Sequence, residues 1–216
     1  MLWSPRFAAA QSTFDINMGF GWANAKALPG VDINTFGPCT SATGAGNCVT
    51  TPKLNSFMLG FGGSLMAWRH FGVGAEIKFQ PAKQNYLTFQ QQTATQSGDI
   101  LQDRVTLWDV HGVLRPMYSK KAEIQLLGGI GGANVKFYEN FASSSSILGN
   151  SNQTLFAGSS NHFQVHGGIG AQLYVSGNFF VRPEFDVHWV RNFTQFGRDT
   201  VIGATIWIGY SLGDRQ

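Results

Sequence analysis

From Thr13 to Trp22 the chain alternates strictly. Phe14, Ile16, Met18, Phe20 and Trp22 take the even positions, with Asp15, Asn17, Gly19 and Gly21 between them. Successive side chains of a strand point to opposite faces, so the pattern predicts a β-strand with one wholly apolar face. The same template recurs over 56–68, 71–80, 104–115, 122–131, 162–174, 179–190 and 201–212. About eight segments of about ten residues result, the length of a tilted strand crossing a bilayer. None carries a charge on its apolar face.

The connections alternate as well. Arg69-His70, Pro116 to Lys121 and Ser176-Gly177-Asn178 are short, whereas 27–55, 81–103, 139–161 and 191–199 are long. That rhythm predicts an all-β fold: an eight-stranded antiparallel up-and-down transmembrane barrel over residues 12–212, tightly turned at one end and looped at the other. Residues 213–216 form a C-terminal tail. Ala8-Ala9-Ala10-Gln11 resembles a signal-peptide cleavage region, so 1–11 is expected to be a signal remnant or a disordered terminus.

Alternation alone does not say which face looks outward; the side-chain types do. A soluble barrel covers its exterior with Lys and Glu. Here the second face is mostly Gly, Ser, Thr, Asn and Gln, so the apolar face is expected in lipid and the polar face in a narrow, plugged lumen. Outward aromatics sort into two belts, as two membrane interfaces select. Trp22, Phe57, Phe79, Trp108, Phe163 and Trp189 fall toward the loop end, and Phe14, Phe71, Phe179 and Tyr210 toward the turn end.

Parity aims Asp15, Glu76, Lys78, Asp109, His111, Arg115, Glu123, His162, His166, Arg182, Glu184, Asp186 and His188 inward. One reading is a polar pore, a proton path or a hydrolytic site. The other is a lumen locked by ion pairs, because buried charge is tolerated only when paired. Eight strands leave no wide channel, which favours the second, with Arg182 expected against Glu184, Glu76 or Glu123. The histidines are expected as hydrogen-bonding groups, with no metal and no cofactor.

Composition narrows the function classes. The 216 residues hold 15 Lys+Arg against 12 Asp+Glu, a net +3 that gives no field for nucleic acid. Mean hydropathy is −0.06, and no apolar run approaches the ~18 residues of a membrane helix. Gly128-Gly129-Ile130-Gly131-Gly132 lacks the Lys-Ser/Thr of a phosphate loop. Cys39 and Cys48, paired in one long loop, are expected to form a disulfide.

Phe14 to Trp22, Val181-Arg182-Pro183-Glu184 and the final Ile206-Trp207-Ile208-Gly209-Tyr210-Ser211-Leu212 carry a resemblance. The chain resembles the small eight-stranded outer-membrane β-barrels of Gram-negative bacteria, the OmpA/OmpX-like family. The resemblance implies the outer membrane as location, with its lipids and the barrel-assembly machinery as partners. The last strand resembles the signal read by that machinery, but Gly213-Asp214-Arg215-Gln216 follows Leu212 in place of a terminal Phe. A monomeric, non-enzymatic anchor for surface loops is expected, serving adhesion, envelope integrity or the binding of a surface ligand or envelope protein. Tyr86, Phe89, Phe137, Tyr138, Phe141, Phe193 and Phe196 are candidate contact anchors or, equally, candidates for extending the barrel above the membrane. The alternatives are a narrow pore for small solutes or a lipid-modifying enzyme using His188 as base, although parity turns that ring away from lipid.

Overall fold

The computed structural model describes residues 13–25, 31–32, 48–49, 54–88, 100–145, 149–193, 196 and 198–213. Its strands are β1 (Thr13–Ala25), β2 (Val31–Asp32), β3 (Cys48–Val49), β4 (Leu54–Met66), β5 (Phe71–Phe79) and β6 (Gln84–Thr88). They continue as β7 (Ile100–Tyr118), β8 (Ala122–Ser145), β9 (Gly149–Ser176), β10 (Phe179–Val190) and β11 (Thr200–Leu212). β1, β4, β5, β7, β8, β9, β10 and β11 form a closed antiparallel ring. β1 meets β11 with Phe14 opposite Leu212, and β5 meets β7 with Phe71 opposite Leu114. Closure pairs every wall strand on both sides, which hydrocarbon demands of backbone N–H and C=O groups. β6 pairs with β7 beyond the end of β5, and β2 with β3 in a separate ribbon. Cys39 and residues 1–12 lie outside the described residues, and with them the expected disulfide and signal remnant. Two free thiols by mass spectrometry would remove the disulfide.

Between the aromatic belts the wall is apolar outside and polar inside. Ile16, Phe61, Val110, Ile169, Phe185 and Ile206 are exposed, while the residues between them are buried or glycine. At the loop-side belt the parity inverts. Ala23, Ala25, Leu54, Met58, Val105, Leu107, Ala133, Val135, Val190 and Val201 turn inward and form one apolar cluster. Outside, Trp22 Nε1 and Asn24 Nδ2 donate to Asn55 Oδ1 at 2.6 and 3.2 Å, and Asn134 Nδ2 donates to Asn161 Oδ1 at 2.7 Å. Lipid offers no drive to hide apolar groups, whereas water does, so the pattern changes sense where the wall leaves the hydrocarbon.

Two expected loops differ from their sequence reading. The 139–161 stretch is not an irregular connection: β8 and β9 stay paired from Lys136 opposite Ser159 up to Ser145 opposite Gly149. At about 3.4 Å per residue this ribbon rises about 30 Å past the apolar wall. Its Ser, Asn and Thr look like loop in the sequence because they carry no apolar alternation. The 191–199 connection folds inward instead of outward. Asn192 takes a left-handed φ of 58°, and Phe193 N donates to Asp199 Oδ1 at 2.9 Å. Phe193 and Phe196 are thereby buried on the apolar cluster with ring centroids 4.7 Å apart. They stopper the barrel and are not surface contact anchors.

Candidate functional site

The lumen is a stack of layers, built because alternate residues of each strand must project inward. At the turn end Asp15 of β1 accepts from Ser64 Oγ at 3.3 Å, Ser211 Oγ at 2.5 Å and Gln172 Nε2 at 3.4 Å. Arg115 of β7 joins Asp15 at 3.2 Å to Glu123 at 3.1 Å. Glu123 therefore pairs with Arg115 and not with Arg182.

The next layer centres on Arg182 of β10. Its Nη2 lies 2.7 Å from Glu76 Oε1 and 3.1 Å from Glu184 Oε2, and its Nη1 donates to Gln125 Oε1 at 3.0 Å. Lys78 Nζ reaches Asp186 Oδ2 at 2.7 Å and Glu184 Oε1 at 3.3 Å. The Trp207 ring sits among these groups, 5.5 Å from both Lys78 Nζ and the Arg182 guanidinium carbon. Trp207 is fully buried in the lumen. A Cβ on Gly19 or Gly60 would come within 2.6 or 2.7 Å of its ring, so glycine in the facing strands admits the indole. Sequence reasoning missed Trp207, although its odd number alone assigns it to the inward face of β11.

Above lies a histidine layer. Asp109 Oδ1 accepts from His111 Nδ1 at 2.6 Å and His166 Nδ1 at 3.1 Å, and Asp186 Oδ1 from His188 Nε2 at 2.7 Å. The His166 and His188 rings stack 4.6 Å apart. Each layer residue is at most 3% exposed. His162 does not join it: it sits half-buried at the barrel mouth, its Nδ1 3.2 Å from the Arg191 carbonyl and its ring 5.6 Å from Phe193. The apolar cluster with Phe193 and Phe196 closes the stack.

The structure thus brings Asp15, Glu76, Lys78, Asp109, His111, Arg115, Glu123, His166, Arg182, Glu184, Asp186 and His188 together as buried lumen groups. Phe14, Trp22, Phe57, Phe71, Trp108, Phe163, Phe179, Trp189 and Tyr210 are exposed on the outer wall, and Phe79 is half-buried there, stacked on Phe61 at 6.3 Å. Phe179 and Tyr210 meet edge to face at 4.9 Å.

At the loop end a second surface forms around the β8–β9 ribbon. Lys83 and Lys136 are exposed and Glu139 is half-buried beside it, while Arg191 and Arg198 are exposed and Asp199 half-buried in the connection from β10 to β11. Lys83 Nζ lies 4.1 Å over the Tyr138 ring, which packs edge to face on Phe156 at 5.9 Å. Leu155 and Phe156 are exposed. Phe137 packs against the apolar cluster, while Phe89 lies outside the described residues, as do the side chains of Tyr86 and Phe141.

No family model matches the sequence, and no curated protein matches it. Solved structures do. The attachment invasion locus protein Ail of Yersinia pestis, in complex with the heparin analogue sucrose octasulfate, is similar at 13% identity and TM-score 0.52, over 94% of this chain and 99% of that one. A major outer membrane protein of Thermus thermophilus is similar at 9% identity and TM-score 0.52, over 93% and 99%. Such low identity speaks to fold alone. The closed ring, the exposed apolar band and these neighbours agree: the chain has the fold of the eight-stranded outer-membrane β-barrels.

Proposed function

We propose that the protein binds an anionic partner at the cell surface, using the loop end as platform and the barrel as anchor. The observation that carries this reading is the paired β8–β9 ribbon standing beyond the apolar wall, while the lumen beneath is filled by ion pairs, Trp207 and Phe193. Exposed apolar and aromatic groups beside cations suit recognition of a partner with apolar and anionic parts. Lys83, Lys136, Arg191 and Arg198 supply the charge, and Tyr138, Leu155 and Phe156 the contact area. Ail, similar in fold, was solved with a sulfated sugar, which supports a sulfated glycan as the first ligand to try.

The test compares the full chain in nanodiscs with a variant whose residues 140–153 are replaced by Asn-Gly, and with Lys83, Lys136, Arg191 and Arg198 changed to Ala. Heparin binding at low salt should fall at least about ten-fold in both, one decade being about 1.4 kcal/mol. Unchanged binding in both variants, or none by the parent chain, would overturn the reading. Steady single-channel current in planar bilayers would point instead to the pore.

A further inference from the structure

We propose that the histidine layer is a binding site for one divalent transition-metal ion of the zinc, nickel and copper group, held by Asp109, His111 and His166. The ligand atoms of these three side chains lie within 4.8 Å of one another, as do those of His166, Asp186 and His188. Imidazole with one carboxylate is the donor set these ions take. An ion about 2.0–2.1 Å from each ligand needs neighbours about 3.3 Å apart. The present separations from Asp109 Oδ1, 2.6 Å to His111 and 3.1 Å to His166, reach that with under an ångström of side-chain adjustment.

Charge and hydrogen bonding point the same way. Asp109 has only His111 and His166 as ion-pair partners among the described residues, with no Lys or Arg. Asp186 is already held by Lys78 at 2.7 Å, which favours the Asp109 triad over the second one. Over the whole lumen Asp15, Glu76, Asp109, Glu123, Glu184 and Asp186 face three permanent cations, Lys78, Arg115 and Arg182, and beside neutral imidazoles of His111, His166 and His188 that leaves negative charge for a metal ion. The layer is also cradled. A Cβ on Gly74 would collide with His111 Nε2, and one on Gly203 with the Asp186 carboxylate. Asp186 and His188 stand behind the triad, His188 stacked on His166. The sequence alone did not indicate this site, because its ligands come from β7 and β9, 55 positions apart between His111 and His166.

The apolar stopper slows exchange, so the full chain is refolded into detergent micelles with Zn2+, Ni2+ or Cu2+ present, then freed of loose metal on a chelating resin. About one equivalent should remain by elemental mass spectrometry, and Cu2+ should show imidazole nitrogen couplings in its electron paramagnetic resonance spectrum. His166→Gln and Asp109→Asn should each lower affinity at least about a hundred-fold. A His70→Gln/His162→Gln variant, lacking only the histidines outside the layer, should keep both signals. That variant and the parent chain carry the test if the lumen variants fail to fold. Absence of retained metal in the parent chain, loss of it in His70→Gln/His162→Gln, or full retention in His166→Gln would each overturn the proposal.

Discussion

The same tube is sealed by opposite chemistry in its two halves. Between the aromatic belts Arg182, Lys78 and Arg115 hold carboxylates in a polar lumen behind an apolar wall. Above the loop-side belt Val105, Leu107, Val135, Phe193 and Phe196 make an apolar plug behind a wall carrying Asn24, Asn55, Asn161 and Lys136. The difference teaches that the outer solvent sets the inner chemistry. A wall in water can bury its apolar groups, as any soluble core does. A wall in lipid faces most of them outward, and what remains for the lumen is mainly small, polar or charged, with Trp207, Phe180 and the Met66, Val113 and Leu127 cluster as its apolar members. Charges placed there must find partners, and the partners specify which strands face each other across the tube.

Substitutions separate the halves. The largest effect is expected from Arg182→Leu, which takes the nearest cation from Glu76 and leaves Glu184 to Lys78 alone in a dry interior, and should cost about 3–5 kcal/mol. The urea midpoint of folding into vesicles measures it. A loss below about 1 kcal/mol would mean that water enters the lumen and screens the pairs. Phe193→Ala opens a cavity in the plug and should cost about 3 kcal/mol by the same assay, with the membrane-embedded wall intact by circular dichroism. Ile169→Lys puts a charge on the lipid face near mid-depth and should cost about 2–3 kcal/mol. Ser159→Lys makes the same charge on the same strand above the belt and should stay within about 0.5 kcal/mol. Equal costs for these last two would place the membrane boundary elsewhere and break the comparison.

Much of this was legible along the chain. The period of two in Phe14 to Trp22 and its repeats suffices for strands, for a ring of eight and for the sidedness of Asp15, Glu76, Arg182 and their companions. The inversion was legible in principle: Val105 and Leu107 are odd-numbered, whereas Trp108 and Val110 on the same strand are even. It was missed because a shift of apolar parity looks like the end of a strand. The β8–β9 ribbon was missed because its Ser and Asn carry no apolar alternation to mark a strand. Phe193 and Phe196 read as exposed anchors because loop aromatics bear no mark of the direction in which the loop folds.

What the residues determined by themselves is local: alternation is a property of neighbouring peptide units, so strand, face and lipid exposure follow from order in the chain. What only the tertiary structure decided is who meets whom across the lumen. That depends on the stagger at which eight strands close, a sum over all their registers that no single segment contains. Glu123 meets Arg115, Trp207 lies between Lys78 and Arg182, and three histidines from β7, β9 and β10 gather around two aspartates for that reason.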